Sequence, residues 1–249
     1  MSKEAIFGSG GHTKEKDLRI MQNTTLGIVL FMGRSRCSYS KKIKNLLKNK
    51  SKKLYYFESK KFGEKINKKY LKLNYDYIFC FRNFCILKKN ILKKVKKSAI
   101  NFHPGLPEYR GIGCINYAVY ENSKFFGSTA HLINEKIDNG KIIDVKKFKI
   151  NKKEEISEIS NKTYKTMFHQ AISIISKIKI DPNFIENQTQ KNKKIKWSNK
   201  LRKNKDLDKF YIINKNIKKK DFLNKIRATN TPKFKKPYIK LYGKKFILE

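Results

Sequence analysis

Ala99-Ile100-Asn101-Phe102-His103-Pro104-Gly105-Leu106-Pro107-Glu108-Tyr109-Arg110-Gly111-Ile112-Gly113 reads as a short apolar strand that delivers two polar side chains to a loop stiffened by prolines. Residues i and i+2 of a strand share a face, so the Asn101 amide and the His103 imidazole are predicted to point into one space. Pro104 has no N–H to extend a ladder, which ends the strand just after His103. The glycines at 105, 111 and 113 permit backbone conformations and close approaches that other residues resist. The stretch from Gly127 to Asp144 belongs with this one. It is predicted to give a strand over Phe126–Leu132, a turn over Glu135–Gly140 in which Asn139-Gly140 supplies the positive φ angles, and a further strand over Ile142–Ile150.

Working outward, Leu26-Gly27-Ile28-Val29-Leu30-Phe31-Met32 is a continuous apolar run suited to a strand buried on both faces. A helix is predicted over Ser38–Lys48 with Ile43, Leu46 and Leu47 on one side, then a strand over Lys53–Phe57 and a helical stretch around Phe62–Leu71. Tyr77–Phe81 makes a third strand, Ile91, Leu92 and Val95 mark a short helix, and Ala99–Phe102 follows as the next strand. Helices over Cys114–Tyr120 and Ile156–Ile178 complete an alternation that predicts an α/β fold, a Rossmann-like, doubly wound, mostly parallel sheet. Ligands of such sheets sit at the carboxyl ends of the strands, where the Asn101–His103 motif emerges. Beyond Asp181-Pro182 the composition turns to Lys, Asn and Gln. Residues 181–196 therefore read as a linker or loose loop between a domain over 25–180 and an extension over 197–249. That extension resumes with Trp197, Leu201, Leu207 and Phe210, carries a capped helix over Asp221–Ala228, and ends in a hairpin over Pro237–Leu248 around Tyr242-Gly243.

The 249 residues, 39% of them hydrophobic, can bury a real core. No apolar run approaches the roughly 20 residues that span a bilayer, and the N-terminus lacks a secretory pattern, so a soluble, cytoplasmic protein is expected. Cys37, Cys80, Cys85 and Cys114 show no paired spacing and form no recognisable metal set with the scattered histidines, so free buried thiols and no metal are expected. Sixty Lys and Arg against 20 Asp and Glu give a formal charge of +40, which raises nucleic-acid binding as a possibility. The lysines are spread through every segment beside abundant Asn and Ile, which favours a compositional origin for the charge. Residues 1–24 are the least informative: Ile6-Phe7-Gly8-Ser9-Gly10-Gly11-His12-Thr13 has the look of a strand followed by a phosphate-cradling loop, and a flexible or edge segment is the plainer reading.

Asn101-Phe102-His103-Pro104, Leu106-Pro107-Glu108-Tyr109-Arg110-Gly111, Gly127-Ser128-Thr129-Ala130-His131 and Asp138-Asn139-Gly140 together resemble the folate-dependent formyltransferase family. The resemblance implies transfer of a formyl group from 10-formyltetrahydrofolate to an amine, by an Asn, a His two residues later and an Asp about 35 residues further on. By that resemblance Asn101, His103 and Asp138 are the candidate catalytic residues, and His131 is a neighbour outside the reacting set. Arg82, Cys85, Ile86, Leu87, Asn139 and Gly140 are candidate folate-binding residues, and Pro107, Tyr109, Arg110, Gly111 and Ile112 are candidates for the acceptor substrate. Tyr109 and Arg110 read equally well as loop scaffolding.

The chemistry asks for few parts: an amine attacks the formyl carbon, charge grows on the formyl oxygen and the folate nitrogen departs. Asn101 can donate to that oxygen, and a His103 imidazolium can stabilise the same charge and pass protons, with Asp138 raising its pKa. The loop Pro107–Cys114 and the tail from Trp197 are similar to bacterial nucleotide-sugar N-formyltransferases. The implied acceptor is a nucleotide-linked amino-deoxysugar, as in lipopolysaccharide O-antigen biosynthesis, with a possible homodimer through the C-terminal extension. The alternative is a methionyl-tRNA formyltransferase-like enzyme or a basic RNA-binding protein on the same scaffold. Roughly 50 residues of extension is short for the separate barrel that reading expects.

Overall fold

The computed structural model describes residues 25–230 and 236–248, and the glycine-rich segment at 8–12 lies outside them. In chain order come β1 (Ile28–Arg34), α1 (Ser38–Lys50), β2 (Lys53–Ser59), α2 (Lys68–Leu71), β3 (Tyr75–Phe81), α3 (Lys89–Leu92) and β4 (Val95–His103). Then follow α4 (Cys114–Tyr120), β5 (Phe125–Leu132), β6 (Ile142–Lys149), α5 (Ile156–Ile180) and α6 (Phe184–Lys191). The extension holds α7 (Asn204–Phe210), β7 (Ile212–Ile213), α8 (Lys219–Thr229), β8 (Tyr238–Leu241) and β9 (Lys244–Ile247).

Six strands form one sheet in the order β2-β1-β3-β4-β5-β6. The first four are parallel, and β5 and β6 run antiparallel to their neighbours. The expected doubly wound, mostly parallel α/β sheet is the fold found. Its alternation is visible in the two cores. Val29, Phe31, Tyr77, Phe79, Ile100 and Phe102 pack on Ile43 and Leu47 of α1 and on Met167, Ala171 and Ile174 of α5. The intervening Leu30, Met32, Ile78, Cys80 and Ala99 pack on the other face with Phe57, Tyr70 and Ile91. Burial on both faces is why β1 and β3 read as unbroken apolar runs.

The structure differs from expectation at three places. The helical stretch expected over Phe62–Leu71 is only α2, because Gly63 adopts a left-handed conformation (φ 75°) and Asn67 caps the helix start by accepting from Lys69 N at 3.0 Å. Val95 opens β4 instead of closing a helix. The polar stretch 181–196 holds α6, with Phe184 and Ile185 packed on the core under α5 and Asn192 Nδ2 donating to Ile143 O at 2.7 Å. Two apolar side chains suffice to dock a segment whose composition is otherwise that of a loop.

α5 begins with a capping box, Glu158 reaching back to the Glu155 N–H at 2.8 Å. In its middle, buried Gln170 accepts from Ser128 Oγ at 2.9 Å and donates to Asp144 O at 3.0 Å, which ties this helix to β5 and β6. The extension is attached through residues 197–203, which run over the loop at 106–113. Ser198 N donates to Pro107 O at 3.0 Å, Arg202 N to Arg110 O at 3.1 Å and Ile112 N to Arg202 O at 2.9 Å.

Candidate active site

β4 and β5 assemble the site by register. Asn101 pairs with His131 and His103 with Thr129 across the antiparallel ladder, so the side chains of Asn101, His103 and His131 stand on one face. The turn after β5 brings Asp138 over them. His103 Nδ1 lies 3.4 Å from Asp138 Oδ2, His131 Nε2 3.5 Å from Oδ1, and Asn101 Nδ2 3.5 Å from Oδ1 and 3.1 Å from His131 Nε2. Gly111 N also donates to Asp138 Oδ2 at 3.2 Å. Asn101, His103 and Asp138, expected to work together, are brought together, and His131 sits among them at the cavity wall instead of behind them.

The surroundings of His103 favour its charged form. Nδ1 lies 3.4 Å from a carboxylate oxygen and Nε2 3.1 Å from the Tyr109 carbonyl, two partners that can only accept. Burial disfavours the cation, but the Asp138 carboxylate and then Cys114, whose Sγ is 3.5 Å from Nε2, outweigh it and raise the pKa to about 9. Burial pushes Asp138 upward, and His103 with His131 and the Gly111 N–H overcome that to hold it at about 2. His131 Nδ1 lies 2.7 Å from the Leu132 carbonyl and must donate there. Its Nε2 faces both the Asn101 amide and Asp138 Oδ1.

The turn that carries Asp138 is built differently from the expected Asn-Gly turn. Asp138 itself is left-handed (φ 42°), a conformation short polar residues tolerate, whereas neither Asn139 nor Gly140 has a positive φ. Gly140 is required by close approach, since any Cβ there would collide with the Leu132 carbonyl. Arg110 holds the turn from the other side, its Nε and Nη2 both donating to Ile137 O at 2.9 and 2.6 Å.

A cavity of about 600 Å³ opens above this cluster. Arg82, Cys85, Ile86 and Leu87 of the β3–α3 loop line it, as do Gly111 and Ile112, while Asn139, Gly140, Pro107, Tyr109 and Arg110 lie outside its wall. The Tyr109 ring turns into the core against Phe126 at 5.7 Å, so its contribution to the site is its carbonyl. Among the described residues no group of three or more His, Cys, Asp or Glu could hold a metal, and no helix is long and apolar enough to cross a membrane. All four cysteines are buried and free.

Two residues of the extension that touch the site or its loop escaped the sequence reading. Trp197 stands edge-on to His103 and His131, with centroids 5.6 and 4.9 Å away, and donates Nε1–H to Gly140 O at 2.8 Å. Arg202, 6% exposed, donates to Glu108 O at 3.0 Å and pairs with Glu121 at 3.2 Å, bracing the motif loop. The sole tryptophan of a Lys-rich tail was the one signal available.

With this geometry in place, comparison with known proteins is decisive for the class: residues 30–174 match the family described as formyl transferase, and the chain belongs to that family. It is 31% identical over 160 residues to methionyl-tRNA formyltransferase of Clostridium tetani, covering 64% of this chain and 49% of that protein. The chain thus spans about half the length of that curated relative. Among solved structures, a 4-N formyltransferase from Francisella tularensis superposes with a TM-score of 0.69 at 20% identity, covering 89% of this chain and 96% of that one. The N-formyltransferase from Helicobacter canadensis, in complex with folinic acid and dTDP-3-aminofucose, superposes with a TM-score of 0.62 at 18% identity, covering 87% and 85%.

Proposed function

We propose that this chain transfers a formyl group from 10-formyltetrahydrofolate to the amino group of a nucleotide-linked amino-deoxysugar. The observation that carries the reading is the buried cluster of Asn101, His103, His131 and Asp138 at the floor of a cavity of about 600 Å³. Asn101 supplies an amide N–H, and the His103 imidazolium a fixed positive charge, where negative charge grows on the formyl oxygen. His103 is held at both nitrogens, so it acts through its charge and through Asp138 rather than as a freely turning proton carrier. Asp138, held near pKa 2, is a poor base but a good partner for a cation. His131 Nε2, on the cavity wall 3.5 Å from that carboxylate, is the group best placed to pass the proton of the attacking amine to the departing folate nitrogen. In this reading the loop 82–87, which lines the cavity and anchors Cys85 and Leu87 in the core, is the wall on which a flat pterin ring would lie.

The choice of a sugar as acceptor is supported by fold. The likeness to the 4-N formyltransferase extends over 89% of this chain, well beyond residues 30–174 of the family match. In this reading the strap 197–203 closes the acceptor side of the cavity beside Gly111 and Ile112, which suits a small ligand. The β8–β9 hairpin, where Tyr242, Phe246 and Ile247 are exposed, is where a homodimer would form in this reading. The second reading, charged initiator tRNA as acceptor, draws on the 31% identity to the Clostridium tetani enzyme and on the charge of +40.

Incubating the purified protein with 10-formyltetrahydrofolate and either a panel of nucleotide-linked 3- and 4-amino-deoxysugars or charged initiator tRNA separates the two. Formylation of at least one sugar and none of the tRNA is expected. Formylated tRNA with every sugar inert would overturn the acceptor. Salt dependence gives the same answer independently: a tRNA gripped through six or more phosphates loses on the order of a thousandfold in affinity over a fourfold rise in salt, and a nucleotide sugar far less.

A further inference from the structure

Arg34 ends β1 and Arg82 follows the last residue of β3, and these two strands are paired in parallel. The chain turns from β1 outward to β2 on one side and returns to β3 on the other, so the β1–β3 boundary is where the winding of the sheet reverses. At such a boundary the connections diverge and leave a crevice at the carboxyl ends of the strands. Both arginines line the cavity there. Each guanidinium lies over an aromatic ring of the same wall, Arg34 Cζ 4.3 Å from the centre of Phe84 and Arg82 Cζ 3.5 Å from that of Tyr164. Arg82 also donates to Cys37 Sγ at 3.5 Å and takes a left-handed backbone (φ 55°) that few residues of its size adopt.

Two like charges in one half-buried place repel, and Arg34 is accordingly pushed downward in pKa by burial and then by Arg82. Among the described residues neither is ion-paired with a carboxylate. Guanidiniums stacked on aromatic faces are pre-organised and present their edge N–H donors to a planar or tetrahedral oxyanion. We propose that Arg34 and Arg82 form a two-guanidinium clamp for a doubly charged oxyanionic group, opposite the Asn101–His103–Asp138 cluster in the same cavity. The proposal rests on the formyl-transfer reading for its ligand. Strand spacing puts the β1–β3 boundary about 10 Å from the β4–β5 boundary, two strands along the sheet. Two sources carry such a dianion at that reach from the reacting nitrogen: the glutamate tail of the folate donor, across its benzoyl amide, and the diphosphate of a nucleotide-linked sugar, across one sugar ring. Phe62 and Phe84, edge to face at 5.9 Å, extend the clamp with an apolar shelf for the ring that either ligand also brings.

The test is direct binding by titration calorimetry, without turnover. The probes are 5-formyltetrahydrofolate, its analogue lacking the glutamate, and UDP and dTDP. The proteins are wild type, the double variant Arg34→Gln/Arg82→Gln, and Arg34→Lys/Arg82→Lys as the charge-retaining control. Losing charge-assisted hydrogen bonds is expected to weaken one probe class on the order of tenfold or more. Weaker binding of 5-formyltetrahydrofolate with the glutamate-free analogue unchanged assigns the clamp to the donor's tail. Weaker binding of the diphosphates with both folates unchanged assigns it to the acceptor. The lysine variant should recover part of the loss in either case. Equal binding of all probes by wild type and the glutamine variant overturns the clamp and leaves the functional reading standing, as does a loss that falls alike on the glutamate-free analogue with the diphosphates unaffected. Failure of the wild type to bind any probe overturns both.

Discussion

At the β4–β5 end of the cavity every polar side chain meets its complement: the His103 cation lies between Asp138 and the Tyr109 carbonyl, and the second carboxylate oxygen faces His131 and Asn101. At the β1–β3 end Arg34 and Arg82 lie on Phe84 and Tyr164, with no carboxylate paired to either among the described residues. The first arrangement is complete in itself, which is how a catalytic centre is pre-organised before its substrate arrives. The second is complete only with an anion. The difference separates groups that must not move during the reaction from groups whose remaining partner is brought by a ligand.

Substitutions at the balanced end should therefore cost most. Asp138→Asn leaves two histidines without their carboxylate, and turnover is expected to fall by a thousandfold or more, beyond the 10²–10³ typical of losing a single oxyanion donor. It should also change the pH dependence of stability. His103 has a folded pKa raised to about 9 against an ordinary value near 6.5. Its contribution is thus fully present below about pH 6.5 and is lost as pH rises through about 9. Thermal melting of the wild type should lose stability across that window, and the variant should be nearly flat there. A variant with the same melting profile as wild type would mean that the pair is not charged.

Asn101→Ala ranks next, with kcat lowered on the order of a hundredfold and little change in melting, because in the proposed reaction the amide donates to the formyl oxygen, while its side chain is no member of the hydrophobic core. A wild-type rate in the folded variant would remove Asn101 from the reaction. Trp197→Ala should have the smallest effect, a lowering of stability by about 1–3 kcal/mol and so a melting point several degrees lower. Its signature is a shift of the His103 titration measured by NMR, since the indole covers both imidazoles. An unmoved titration would make the tail a neighbour of the site and no part of it.

Much of this was legible in the chain. The runs at 26–32 and 77–81 are apolar because both faces of β1 and β3 are buried, and alternation placed Asn101 and His103 on one face before any coordinates were needed. Asp138 was reachable through the family pattern alone, because an Asp in a turn has no local feature that separates a carboxylate facing a histidine from one facing water.

What sequence alone determined is thus whatever depends on neighbours along the strand or helix: the doubly wound sheet, the helix Cys114–Tyr120, the hairpin of the extension, and the pairing of Asn101 with His103. Only the tertiary structure decided what depends on contacts across long stretches of chain. It put His131 in the centre through the register of β4 with β5, turned the Tyr109 ring into the core and its carbonyl to His103, and laid Trp197 on the histidines. It also set Arg34 beside Arg82, 48 residues apart, because β1 and β3 are adjacent in space and separated in sequence by a strand and its connections. Local spacing encodes which face a side chain takes. Which distant face it then meets is settled by packing, and no single segment carries that information.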